Sequence, residues 1–365
     1  MKRFVSLLSC IVVVAGTSIA QLAVPSRFNL DSAHTSLSLP PANSVSHAII
    51  QDSVLWIGTS KGLAASRNGA RTWESFRTNP SFANDGIFAI EVRGATIWAS
   101  TGFEKDVTGG SVQTGSGYAF STDGGISWTH TPQPIDARSD SFLVYGLDTL
   151  RILPVIVPEQ NVSFDISLSA GKVWVASWAS GLRLSTDNGQ TWQRILLPPD
   201  NLNRIAPRGG LNTDTLRFYV DPRRNNNFLA FAVYAVDNDT IWCGTAGGVN
   251  KSTDRGVSWT RFTHRNQQSS ILGNWVIAIK EQRFQNKRRI WTTNWKADDN
   301  TEEFGVSYTD NGGRSWTNLL RGIRAYEFVF RYSVAYISTE NGLYRTDDDG
   351  TTFVRSGNID RKSVV

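Results

Sequence analysis

Residues 185–192 read STDNGQTW. An acid, several hydroxyls and a tryptophan in so short a stretch would suit either catalysis or a tight turn, and recurrence decides between them. STDGGISW (121–128) and STDRGVSW (252–259) are close copies, and SRNGARTW (66–73), TDNGGRSW (309–316) and TDDDGTTF (346–353) are looser ones. The acid place holds Asn68, Asp123, Asp187, Asp254, Asn311 and Asp348; the last place holds Trp73, Trp128, Trp192, Trp259, Trp316 and Phe353. Asparagine keeps an accepting oxygen and loses the charge, so the place calls for a turn acceptor and not a catalytic acid. Glycine supplies positive φ, and the aromatic ring buries against the sheet.

A second aromatic precedes each turn: Trp56, Trp98, Trp174, Trp242, Trp291 and Tyr336. It stands 17 or 18 residues ahead in four repeats, and 30 and 25 ahead in the second and fifth. Ten of the 13 tryptophans occupy these two places, which sets them down as architecture. Each repeat predicts four short strands; in the third, SFDISLS, KVWVAS, GLRLST and TWQRILL are strands A to D. One such sheet cannot bury both faces alone, so the repeats must stack radially. The expectation is an all-β, six-bladed β-propeller with four-stranded antiparallel blades, seven blades being the alternative count. The blades are placed near 45–80, 84–134, 162–198, 227–264, 273–320 and 324–357, within one domain over 45–357.

The repeat is similar to the Asp-box, or BNR, repeat. The chain resembles the propellers that carry it in bacterial sialidases, the sortilin ectodomain, xyloglucan-active glycosidases and photosystem II assembly factors. The resemblance implies the fold and leaves activity open. Sialidases carry an Arg-Ile-Pro-type motif ahead of the first box; none precedes Ser66, and RILP (151–154) and RIAP (204–207) fall in other blades with an extra residue. Sialidase site residues are therefore not carried over. Xyloglucan-active relatives usually pair two large propellers, and this chain has room for one.

The composition agrees: 31 Gly, 13 Trp and one Met among 365 residues describe many turns and fixed aromatic slots. Residues 1–20 read as a signal peptide for export, secreted or periplasmic, with Lys2 and Arg3 ahead of an apolar run and a small-x-small end at Ser18–Ala20. Lipidation at Cys10 is the alternative. An N-terminal extension (21–44) and a tail (358–365) flank the propeller. Cleavage leaves Cys243 without a partner and 35 basic against 32 acidic residues, too weak a balance to argue for nucleic acid. No second apolar segment has membrane length. No cofactor, metal site or disulfide is expected, and the chain is expected to be a monomer. The histidines (His34, His47, His130, His264) lack ligand spacing.

In antiparallel blades the A–B and C–D turns share one end, and the B–C and D–A connections share the other. Long insertions fall on the second end: the B–C loops 102–117 and 294–305, and the D–A connections after blades 2, 3 and 4. Two inserts repeat DTLR (148–151 and 214–217) and are expected to pair as a ribbon over that face. Trp178 and Trp295 lie just past strand B, outside the repeating slots, near Lys296, Asp298, Asp299, Glu302 and Glu303. They are the expected anchors for a sugar or peptide. Trp275 aligns with Phe88, Phe164 and Phe231 of strand A and is expected in the core. Arg204, Arg208, Arg223 and Arg224 form a candidate basic patch. The leading reading is a non-catalytic binding or scaffold module for a glycan or protein partner. The alternative is a glycoside hydrolase with two carboxylates across the funnel, from among Asp106, Asp165, Asp298, Glu302 and Glu303.

Overall fold

The computed structural model describes residues 36–37, 39–82, 85–209 and 215–356; the expected signal segment, Cys10, His34 and the tail lie outside them. Six antiparallel sheets follow one another along the chain as the blades of a β-propeller. Strand A is Val45–Gln51, Gly86–Arg93, Ser163–Ser169, Ala230–Ala235, Ile279–Phe284 and Ala325–Arg331 in blades 1 to 6. Strand B is Val54–Thr59, Thr96–Val107, Lys172–Ser177, Ile241–Thr245, Lys287–Asn294 and Val334–Thr339, and strand C ends at the box in every blade. Blades 1 and 4 each gain a fifth, outermost strand, Ser36–Leu37 and Arg204–Ile205.

Each box forms the C–D turn. In blade 3 the Asp187 carboxylate accepts the Thr191 N–H (2.9 Å) and the Ser185 hydroxyl (2.8 Å), while Ser185 Oγ accepts the Gly189 N–H (2.8 Å). Asn68 and Asn311 accept the equivalent N–H groups of Thr72 and Ser315 through Oδ1, both at 3.0 Å. Hydrogen bonds led by the Thr191 hydroxyl hold the Asp187 carboxyl down to about 2.

The strand-B aromatic of one blade meets the box of the next. Trp56, Trp98 and Trp242 lie edge-on to Trp128, Trp192 and Trp316, with ring centroids 6.1–6.4 Å apart. A Cβ on Gly256 would stand 2.7 Å from Trp174 Cη2, so only glycine admits that ring. Five apolar cores follow, one at each junction from blades 1–2 to 5–6. The junction of blades 6 and 1 differs. Leu55, Ile57, Ala64 and Trp73 cluster on blade 1 alone, and Val45, Ile50 and Val329 stay exposed. Its glycine place is Ala70, at φ 65°. Each blade is one continuous stretch of chain, and among the described residues no strand is shared across this seam.

Two expectations about the insertions are corrected. The B–C segment 102–117 is not a loop: strands B and C of blade 2 run on to a turn at Thr108–Gly109, making a hairpin arm. Its unbroken cross-strand pairing from Gly102 to Gly110 favours extension over coil. The DTLR inserts do not form a ribbon over the B–C and D–A end. Asp148–Arg151 pairs with Phe142–Tyr145 as a separate hairpin, and the second insert reaches it by a parallel bridge between Ile152 and Val220. Leu143, Tyr145 and Leu150 pack on the core between blades 3 and 4, and the Tyr145 hydroxyl donates to the Val257 carbonyl inside the fourth box. Apolar burial against the outer strands pulls this hairpin down the side of the ring.

Candidate functional site

The B–C and D–A end of the channel is shaped by a repeated irregularity in strand A. A β-bulge falls at Ser46, Phe88, Phe164, Phe231 and Tyr326 in blades 1, 2, 3, 4 and 6. A bulged residue is unpaired and re-aimed. The bulged aromatics, with Trp178, Trp275 and Trp295, form one continuous arc. Phe88 meets Phe164 (6.3 Å), which meets Phe231 (5.4 Å); Trp178 leans on both at 6.3 Å. Phe231 meets Trp275 (5.3 Å), Trp275 meets Trp295 (6.1 Å), and Trp295 meets Tyr326 (5.6 Å).

Trp178 and Trp295 are half-buried within the arc, and so is Trp275, which is therefore not an interior core residue. Trp275 stands ahead of strand A of blade 5 and is bridged by backbone hydrogen bonds to Trp295, which holds it at the channel mouth, whereas Phe88, Phe164, Phe231 and Tyr326 are turned there by the bulge. Trp295 Nε1 donates to the Ala325 carbonyl (2.8 Å), and the Arg324 guanidinium lies 5.7 Å over its ring and 4.5 Å over Phe304. Lys296 is exposed, 5.7 Å over the same Phe304 ring.

The neighbouring acids hold the 294–305 loop. Glu302 is buried and accepts the Ala297 N–H (2.6 Å) and the Asn274 amide (2.9 Å). Asp299 pairs with Arg265 (2.6 Å), Asp298 accepts from Asn226 (2.5 Å), and Glu303 pairs with Arg321 (2.6 Å). Each of these acids is thus held by a neighbouring donor. The arginine patch is likewise divided: Arg208 pairs with Asp148 (2.8 Å), and Arg223 (2.8 Å) and Arg224 (3.5 Å) share Asp221, while Arg204 lies exposed on the added strand of blade 4.

Deeper in the channel lies a second group of residues. Lys280 pairs with Glu327 at 3.9 Å, and both side chains keep more than a third of their surface exposed, so water reaches them. Glu327 raises the lysine ammonium, aided by Asp165 and Glu91. Burial pushes Asp165 up to about 7 and raises Glu91, and it lowers His47 to about 4. Asp165 also accepts the Val233 N–H of the next blade (2.9 Å) and its neighbour's Ile166 N–H (2.9 Å). Of these, only Asp165 stood among the residues singled out by sequence. A signal was present: His47, Asp165 and Glu327 directly follow the bulge, where blades 2 and 4 carry Ala89 and Ala232.

Among the described residues no group of three His, Cys, Asp or Glu is placed to hold a metal, and no helix is long and apolar enough to cross a membrane.

A BNR/Asp-box repeat model matches residues 183–194. An oligoxyloglucan-reducing end-specific xyloglucanase of Emericella nidulans is 24% identical over 263 residues, covering 65% of this chain and 27% of that protein. A probable enzyme of the same name from Neosartorya fischeri is 23% identical over 222 residues, covering 55% and 27%. The chain thus spans about a quarter of the length of these relatives. Among solved structures, YCF48 bound to D1 peptide superposes with a TM-score of 0.51 at 13% identity, covering 88% of this chain and 84% of that one. An ancestral GH74 enzyme superposes at 0.53 and 17% identity, covering 88% and 40%. These likenesses speak for the fold. One turn repeated six times, and folded as six blades, makes this chain a BNR/Asp-box repeat β-propeller.

Proposed function

We propose that the chain is an exported glycan-binding propeller whose ligand lies across the aromatic arc at the channel mouth. The observation that carries this reading is the arc itself: seven rings from five blades in one continuous series, five of them half-buried, Phe231 buried and Tyr326 exposed, at the end where the B–C and D–A connections meet. Rigid aromatic faces offer apolar platforms to the C–H faces of sugar rings, while Arg324 and Lys296 at the rim meet hydroxyls. The xyloglucanase relatives favour a glycan over a peptide. Export rests on the composition of residues 1–20, with Lys2 and Arg3 ahead of an apolar run.

Isothermal titration with xyloglucan oligosaccharides tests the reading. Trp178→Ala and Trp295→Ala should each weaken binding roughly thirtyfold or more, since a buried aromatic anchor contributes about 2 kcal/mol. Melting temperatures should stay close to wild type. Equal affinity for all three proteins, or no binding by the wild type, overturns it.

A second reading, glycoside hydrolysis, is favoured by the group around Lys280. Asp165, held towards its neutral form by burial, is a candidate general acid, and Glu327, paired with Lys280, is the second carboxylate such hydrolysis needs. Release of reducing ends from the same oligosaccharides, lost in Asp165→Asn, would replace the binding reading with this one.

A further inference from the structure

The hairpin Phe142–Arg151 lies on the outside of the ring, away from the channel, and its construction is unusual for a surface ornament. Its inner face is anchored: Leu143 and Tyr145 pack on the core between blades 3 and 4, Leu150 is buried, and Tyr145 reaches the fourth box. The outer face carries Phe142 and Val144, opposite Arg151 and Thr149. Phe142 is 61% exposed, Val144 73% and Leu147, in the turn, 67%. Asp148–Arg151 is followed at Ile152 by the bridge to Val220, which covers that side. Phe142–Tyr145 is the other side; its end is capped by Arg208, which bridges Gly146 in parallel and accepts the Leu147 N–H (3.0 Å), and among the described residues Phe142–Val144 has no backbone partner on its outer edge.

An edge strand is usually blunted by charge, proline or a covering loop. This one has none of these within it and presents valine and phenylalanine instead. Exposed cations border the patch. Arg151 lies 5.6 Å over the Tyr219 ring and exposed Arg217 adds positive charge near Asp148, while Arg255, beside Val257 in the box, is paired with Asp239 (3.4 Å). The buried Asp148 is already paired with Arg208. The surface is thus an anchored, unpaired strand with apolar side chains and a basic border.

We infer that the edge Phe142–Tyr145 is a docking site for an extended acidic segment of a partner protein, which adds as a strand and lays apolar side chains beside Phe142 and Val144. Main-chain hydrogen bonds give such a contact its hold, and the side-chain pattern gives selectivity. The basic border selects acidic over basic segments. This inference is independent of the channel site, which lies at the end of the ring.

Fluorescence anisotropy with labelled eight-residue peptides of alternating valine and glutamate, or valine and lysine, tests it. The glutamate peptide should bind saturably, and the lysine peptide at least tenfold more weakly. Val144→Asp and Phe142→Asp should each weaken the glutamate peptide tenfold or more with unchanged melting temperature, because both side chains are exposed. N-methylation of alternate peptide bonds should abolish binding. Equal affinity for the two peptides, for wild type and Val144→Asp, or for the methylated peptide overturns the assignment, as does absence of saturable binding.

Discussion

At the scale of single residues, the box acid is a hub of local hydrogen bonds. Asp254 accepts the Ser258 N–H (2.8 Å), the Ser258 hydroxyl (2.6 Å) and the Ser252 hydroxyl (2.7 Å). Truncation leaves these donors to water or to nothing. Asp254→Ala should therefore lower stability by about 1–2 kcal/mol, whereas Asp254→Asn should retain most of it, as Asn68 and Asn311 do the same work in blades 1 and 5. Urea melts of the three proteins check this. An alanine variant as stable as the asparagine variant would show that the acceptor contributes little.

At the scale of the element, the turn is shaped by its neighbour as much as by its own sequence. Gly256 sits at φ 84° with its Cα under the Trp174 ring, where a Cβ would stand 2.7 Å from Cη2. Gly256→Ala should cost about 2–4 kcal/mol, from left-handed strain and overpacking together. Ala70 occupies the same place in blade 1, at φ 65°, beside the seam rather than beneath a strand-B tryptophan. Ala70→Gly should change stability by less than about 1 kcal/mol. Paired thermal melts distinguish the two places; equal costs would mean that the ring above Gly256 yields.

At the scale of the whole molecule, the channel gathers charge that no single blade contains. Asp165 is raised to about 7, so its favourable contribution is full below its ordinary value of 3.8 and is lost as pH rises through 7. His47, lowered from 6.5 to about 4, runs the other way: its contribution is full above 6.5 and lost as pH falls towards 4. Asp165→Asn keeps one accepting oxygen and cannot ionise. Its melting temperature should exceed that of wild type at pH 8, with the gap closing towards pH 4. A gap that is constant or reversed with pH would show that Lys280 stabilises the carboxylate more than burial opposes it.

The period of the aromatic places and the chemistry of the turn were legible from the chain alone, because both are local: an acceptor, a positive-φ residue and a ring recur within eight residues of one another. Strand alternation then implied blades, and blades implied a ring. Trp178 and Trp295 were distinguishable because they break the repeat. Their joining to Phe164, Phe231 and Tyr326 was not, since it depends on a bulge that exempts one residue of strand A from the alternation. The partners of Glu302 and Arg208 were equally hidden, because these contacts join side chains 28 and 60 residues apart that folding brings together and charge alone names no partner. Ala70 marked the seam in plain view, but its meaning required knowing which blade lies opposite. Local hydrogen bonding and periodicity thus determined the kind of fold, whereas the channel mouth, the charged channel and the outer hairpin were decided by contacts between segments far apart in sequence, where packing outweighs pattern.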